Sequence, residues 1–214
     1  MKPRPDQVPP VAIEPWRIRF ADFFTWFQGL LFRHPTGRWF RRLVTRPPVL
    51  TEVPLALRRG GPGLDGLTIA FLSDLHAGAL LDEGDLDELF ERLAAARPDV
   101  VVFGGDLIDH EPKEIRLYAK PLRRLAPPLG VYAVPGNHEY HRDDELALWR
   151  ETLEAAGVTV LINRGQALER NGDRFWLAGI DNLGRGTADV PAALDGWRDG
   201  EPAVLISHEP DAFE

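Results

Sequence analysis

The 214-residue sequence contains no cysteine. That excludes a disulfide scaffold, a thiol nucleophile and any zinc site built on thiolates. It suits cytosol and periplasm alike. Also missing is any apolar run near the roughly 20 residues that a membrane-spanning helix needs. The first twenty residues carry Pro3, Pro5, Pro9 and Pro10 and no apolar stretch, so no cleavable signal peptide is expected. Internal repeats and low-complexity tracts are lacking too. A hydrophobic content of 44% with 27% charged residues nevertheless supports a sizeable core. The length suits one domain with an extension.

Charge divides the chain. Residues 1–60 hold eleven Lys/Arg against four Asp/Glu, net +7, whereas residues 61–214 hold fourteen against twenty-nine, net −15. An acidic body of this kind repels a nucleic-acid backbone unless metal ions intervene. Within the basic extension, Phe20, Phe23, Phe24, Phe27, Leu30 and Leu31 recur at helical spacing. A helix over residues 20–33 would be about 21 Å long at ~1.5 Å per residue, so it could lie on a membrane but not cross one. Arg33, Arg38, Arg41, Arg42 and Arg46 come next, interleaved with Trp39 and Phe40. The stripe has three readings: packing on the acidic body, docking on a membrane surface, or binding a protein partner.

Beyond Gly60-Gly61-Pro62-Gly63, short apolar runs predict strands at Leu67–Leu72, Val100–Phe103, Val131–Val134, Val158–Ile162, Phe175–Ile180 and Ala203–Ile206. Amphipathic helices are expected around Leu86, Leu89, Phe90 and Leu93, stopped by Pro98, and around Leu146, Trp149 and Leu153, ended by Gly157. This alternation predicts a layered α/β domain over residues 61–214, attached to the extension of residues 1–60.

The chemistry is concentrated in the residues just past the strands. The runs end in Ser73-Asp74-Leu75-His76, in Gly104-Gly105-Asp106-Leu107-Ile108-Asp109, in Pro135-Gly136-Asn137-His138-Glu139 and in Ser207-His208-Glu209. Carboxyl ends of strands are the usual place for an α/β site. Two carboxylates about 4 Å apart repel by several kcal/mol at intermediate dielectric. The motifs hold no Lys or Arg to relieve that, so a cation is the economical neutraliser. His76, Asn137 and His208 add nitrogen and oxygen donors suited to divalent metals. Glycines before Asp106 and Asn137 let the chain turn sharply into the site.

Taken in this order, the motifs resemble those of the calcineurin-like metallophosphoesterases over residues 67–211, and in detail a bacterial membrane-associated phosphodiesterase branch. The protein-phosphatase branch carries Asp-Arg-Gly after its second motif, whereas here Asp109 precedes His110-Glu111. The resemblance implies an α/β/β/α sandwich and two divalent cations, such as manganese, iron or zinc. Asp74 and His76 would bind the first cation, Asp106 would bridge, and Asn137 and His208 would bind the second. His138 is implied as the catalytic group near the leaving oxygen, with Asp109 and Glu139 orienting the ligands. His141 and Asp181 read as exposed turn residues, with pocket lining the alternative.

The implied activity is phosphodiester or pyrophosphate hydrolysis by a metal-bound hydroxide, on a substrate that could be lipid-linked. It would take place in the cytoplasm, with peripheral contact at the inner face of the membrane. The Gly-His-x-His that usually comes after the Ser-His motif does not occur before Glu214. The sandwich is therefore expected to be incomplete at its C-terminus, with an open sheet edge and weakened metal binding and turnover. A non-catalytic binding module on the same fold is the second reading. A nuclease is the third, disfavoured by the acidic body.

Overall fold

The computed structural model describes residues 48–57, 59–78, 81–140 and 145–213. The expected helix over residues 20–33 lies outside this set, as does His141. Among the described residues no helix is long and apolar enough to cross a membrane.

Among the described residues seven strands form two sheets. Strands β1 (Ile69–Leu72), β2 (Val100–Phe103), β3 (Val131–Ala133) and β4 (Val158–Val160) pair in that order, all parallel. Helix α1 (Glu83–Ala95) joins β1 to β2, and α2 (Glu145–Ala155) joins β3 to β4. The second sheet has the order β5 (Arg164–Arg170), β6 (Asp173–Gly179), β7 (Ala203–Ile206). Its first pair is antiparallel and its second parallel. A one-turn helix α3 (Val190–Ala193) packs outside it.

The six expected strands all form. The seventh, β5, was not expected, because Arg164, Glu169 and Arg170 interrupt its apolar pattern. Its partner across the hairpin makes it a strand: Asn171 and Gly172 take left-handed φ of 51° and 85° and turn the chain between β5 and β6. An Asn-Gly pair of this kind was the available signal.

Burial explains the layering. All of β2 is buried, because helices cover one face of its sheet and the second sheet covers the other. On the helix side Val101, Phe103, Phe90, Trp149 and Leu153 share a core. Between the sheets Val100, Val102, Val134, Phe175 and Leu177 share another. Each such side chain stabilises the fold by roughly 1.5–3 kcal/mol. Helix α1 starts at a capping box, in which Asp82 accepts from the Gly84 and Asp85 amides while Asp85 accepts from the Asp82 amide. At the amino ends of β1 and β2, Asp99 accepts from the Thr68 amide and hydroxyl and meets Arg170 at 3.4 Å, tying the two sheets together.

Among the described residues β1 is an edge of the first sheet. Its Phe71 points into the layer between the sheets yet is 58% exposed.

Candidate metal centre

The ends of β1 and β2 stay paired beyond the strands. The amides of Asp74, His76 and Ala77 donate to the carbonyls of Gly105, Asp106 and Leu107 at 2.8–3.0 Å. This pairing holds three non-glycine residues in the left-handed region, with φ of 56° at Asp74, 44° at His76 and 52° at Asp106. Such residues cost about 1–3 kcal/mol each and gather at functional sites. Here they aim three polar side chains off the rim of the first sheet.

Asp106 is the hub. Its residue exposure is only 3%. One carboxylate oxygen accepts from the His138 amide at 2.9 Å. The other, Oδ2, faces three imidazole Nε2 atoms: His208 at 3.5 Å, His76 at 3.7 Å and His138 at 3.9 Å. Asp74 Oδ1 lies 3.9 Å from His76 Nε2, and Asn137 Oδ1 lies 3.3 Å from His208 Nε2. All six residues read from the sequence therefore converge. They do so across both sheets, since His208 comes after β7 of the second sheet while the others come after strands of the first.

Two of the histidines have a set tautomer. His208 Nδ1 lies 2.9 Å from the Gly104 carbonyl and His138 Nδ1 lies 2.5 Å from that of Asp109. A carbonyl only accepts, so each Nδ1 carries the hydrogen and Nε2 is turned to the site.

Glu139 organises the backbone beneath them. Fully buried, its carboxylate accepts from the amides of Asp106, Leu107 and Gly136 at 2.7–2.9 Å and from that of Ile108 at 3.4 Å. Burial pushes its pKa up, the Gly136 amide opposes that, and the Asp106 carboxylate adds to the rise. Glycine is needed beside it: a Cβ on Gly136 would stand 2.2 Å from Asp106 Oδ1.

These residues fit divalent cations. The contacts of 3.5–3.9 Å around Asp106 Oδ2 are too long for hydrogen bonds and short enough for pairs of donors to share a cation. His76 Nδ1 is buried with no hydrogen-bond partner. Among the described residues no Lys or Arg pairs with Asp74, Asp106 or Asp109. Donor atoms of Asp74, His76 and Asp106 lie within 4.8 Å of one another, and so do those of His76, Asp109 and His138. The second grouping was not anticipated. It arises because Asp109 comes within 3.9 Å of His76 Nδ1 while its carbonyl engages His138.

A family model described as calcineurin-like phosphoesterase matches residues 67–212. The chain belongs to that family. Members of this metallophosphoesterase family are metal-dependent hydrolases of phosphoesters. The chain is 34% identical over 178 residues to a transmembrane protein with metallophosphoesterase domain from Danio rerio, a match covering 78% of this chain and 40% of that protein. It is 32% identical over 157 residues to the metallophosphoesterase YkuE of Bacillus subtilis, covering 70% and 53%. The chain thus spans about half or less of these relatives. Among solved structures, the phosphopantetheinyl hydrolase of Mycobacterium tuberculosis aligns over 53% of this chain and 41% of its own, at 23% identity and a TM-score of 0.38.

One placement differs from expectation in this metallophosphoesterase. Asp181, read as an exposed turn residue, is 7% exposed. Its carboxylate accepts from the Tyr140 hydroxyl and from the amides of Asn182 and Thr187. Burial, with that carboxylate beside it, pushes the Tyr140 phenol far above its ordinary pKa. Tyr140 directly succeeds Glu139, so the turn after β6 is tied to the loop carrying Asn137 and His138.

Proposed function

We propose that this domain hydrolyses a phosphodiester or pyrophosphate using two divalent cations, one held by Asp74, His76 and Asp106 and the other by Asp106, Asn137 and His208. The observation that carries the reading is the Asp106 carboxylate: one oxygen is held by a backbone amide, and the other faces three imidazoles. Bound cations supply Lewis acidity toward a phosphoryl oxygen and lower the pKa of water. The chain's own residues do the rest. Glu139 holds the Asp106 loop rigid, so the bridging carboxylate needs no rearrangement when substrate arrives. His138, with its Nδ1 hydrogen committed to the Asp109 carbonyl, presents the Nε2 lone pair to the site; a proton taken up there from water, giving the imidazolium, can be passed to the leaving oxygen. The five ligand side chains bind and orient; His138 moves the proton.

The basic, aromatic extension of residues 1–60 supports a finer reading in which the substrate is lipid-linked and the domain meets an anionic membrane at its cytoplasmic face. The name of the Danio rerio relative points the same way. Flotation with anionic liposomes at low salt tests this clause, and absence of binding removes it.

The deciding assay is Mn²⁺-dependent hydrolysis of bis-p-nitrophenyl phosphate by the 214-residue chain. Turnover should disappear with chelator and with Asp106→Asn. Undiminished turnover in that variant sinks the metal assignment, and cleavage of DNA at a comparable rate would favour the nuclease.

A further inference from the structure

Six consecutive backbone amides, from Asp106 to Glu111, are held by two carboxylates. Glu139 takes those of Asp106, Leu107 and Ile108. Glu114 takes the next three: a single oxygen, Oε2, accepts from Asp109 at 3.1 Å, His110 at 2.8 Å and Glu111 at 2.9 Å. Glu114 sits in the 3₁₀ turn Pro112–Tyr118 and lies outside every motif that carries the family resemblance. Its burial pushes its pKa upward, with the three amides opposing the rise.

The far oxygen of Glu114 rests on the other metal-site loop. A Cβ built on Gly78, two residues past His76, would stand 2.5 Å from Glu114 Oε1. One side chain thus grips the loop carrying Asp106 and Asp109 and fills the space beside the loop carrying Asp74 and His76. What it holds in place matters to the histidines. The Asp109 carbonyl takes the His138 Nδ1 hydrogen, and the Asp109 carboxylate lies 3.9 Å from His76 Nδ1.

We infer that Glu114 is a positioning residue of the metal centre, which fixes the ring orientation of His138 through the Asp109 carbonyl and holds the Asp109 carboxylate beside His76. It touches neither substrate nor cation. The inference rests on the reading of these histidines as site residues. The geometry requires an acceptor at Oε2 rather than a charge, so glutamine can take the same three hydrogen bonds, whereas alanine cannot.

Two readouts test it on the full chain. In metal-free protein, ¹⁵N-edited NMR tracks the His138 Nδ1 hydrogen; in titrations, calorimetry tracks Mn²⁺ affinity. Glu114→Ala should lose the His138 signal to solvent exchange and weaken Mn²⁺ binding by about 10–100-fold, the usual effect of removing a partner behind a ligand. Glu114→Gln should restore both. An alanine variant that keeps both readouts, with only its melting temperature lowered, overturns the inference. So does a glutamine variant that loses as much as alanine. Should the alanine variant not fold, Gly78→Ala displaces the Glu114 tip sterically and should weaken the same two signals; unchanged signals there overturn the inference equally. If wild-type protein binds no Mn²⁺, the metal reading fails by itself, and the His138 signal still decides the role of Glu114.

Discussion

The two sheets spend backbone strain differently. On the first, left-handed residues fall at Asp74, His76 and Asp106, at the strand ends that face the site. Among the described residues, Arg97, in the turn after α1, is the other non-glycine residue of that half in this region. On the second sheet they fall at Asn163 and Asn171, which turn the chain before and after β5. Asparagine tolerates that conformation cheaply; Asn171 turns the β5–β6 hairpin, and Asn163 uses its side chain to hold the loop from Asp181 to Asp189. At the first sheet the strain is borne by the very side chains that converge on one carboxylate. At Asp106 it is sustained by a continuous row of amide bonds to Glu139 and Glu114, and at Asp74 and His76 by their amide bonds to Gly105 and Asp106. Beneath the first sheet's rim the backbone is held where the polar side chains converge, whereas in the second sheet it is held at the turns on either side of β5. His208 is the exception that joins them: it comes from the second sheet and is oriented by the Gly104 carbonyl of the first.

Substitutions can break this contrast or sharpen it. After the loss of turnover expected in Asp106→Asn, the largest effect on turnover with metal retained is expected at His138. His138→Ala should lower turnover by roughly 10²–10⁴-fold, the usual span for a general acid, with bound Mn²⁺ retained on gel filtration. Loss of the metal instead would make His138 a ligand.

Next comes the same glycine-to-alanine change made in both sheets. At Gly136 the new Cβ meets Asp106 Oδ1 at 2.2 Å and the Asp106 amide at 2.5 Å. At Gly165 it meets Trp176 Nε1 at 2.3 Å and the Ala193 carbonyl at 2.6 Å, where the two form a hydrogen bond. Both should destabilise by about 1–3 kcal/mol in denaturant titrations. Only Gly136→Ala should also abolish metal binding. If Gly165→Ala did so too, the division of labour between the sheets would be wrong.

The smallest effect concerns Asp99, at the end of the molecule away from the site. Burial works against its ionisation, but hydrogen bonds from Thr68 and the charge of Arg170 prevail, so its pKa lies below the ordinary value. The folded state therefore favours the carboxylate. Its stabilisation is present above the unfolded pKa, near 3.8, and is lost as pH falls through the lower folded value. Asp99→Asn should accordingly show a shallower decline in melting temperature below about pH 4 than wild type, with metal affinity unchanged.

Strand β2 of the first sheet was legible because it is covered on both faces. Val100–Phe103 reads as an unbroken β-branched and aromatic run for that reason. The site was legible because its residues sit in short motifs directly after such runs. Strand β5 was not, since its face is only partly covered and charged residues are tolerated along it. Asp181 was misread for a different reason. An acidic residue after a strand usually marks an exposed turn, and nothing local shows that Tyr140, forty-one residues earlier, donates to it. Glu114 left no trace because its role lies in backbone amides, which carry no residue type.

The sequence by itself determined six of the seven described strands and the two longer helices in their order, the acidic character of residues 61–214 and the identities of Asp74, His76, Asp106, Asn137, His138 and His208. Side-chain chemistry and hydrophobic period are local properties, written residue by residue. Only the tertiary structure decided that His208 reaches the others from a second sheet, that Asp106 presents a single oxygen to three imidazoles, and that the buried Glu139 and the half-buried Glu114 hold the loop from Asp106 to Glu111. Those outcomes depend on which amides are left unpaired once the sheets have packed, and that is settled by contacts between residues distant in the chain.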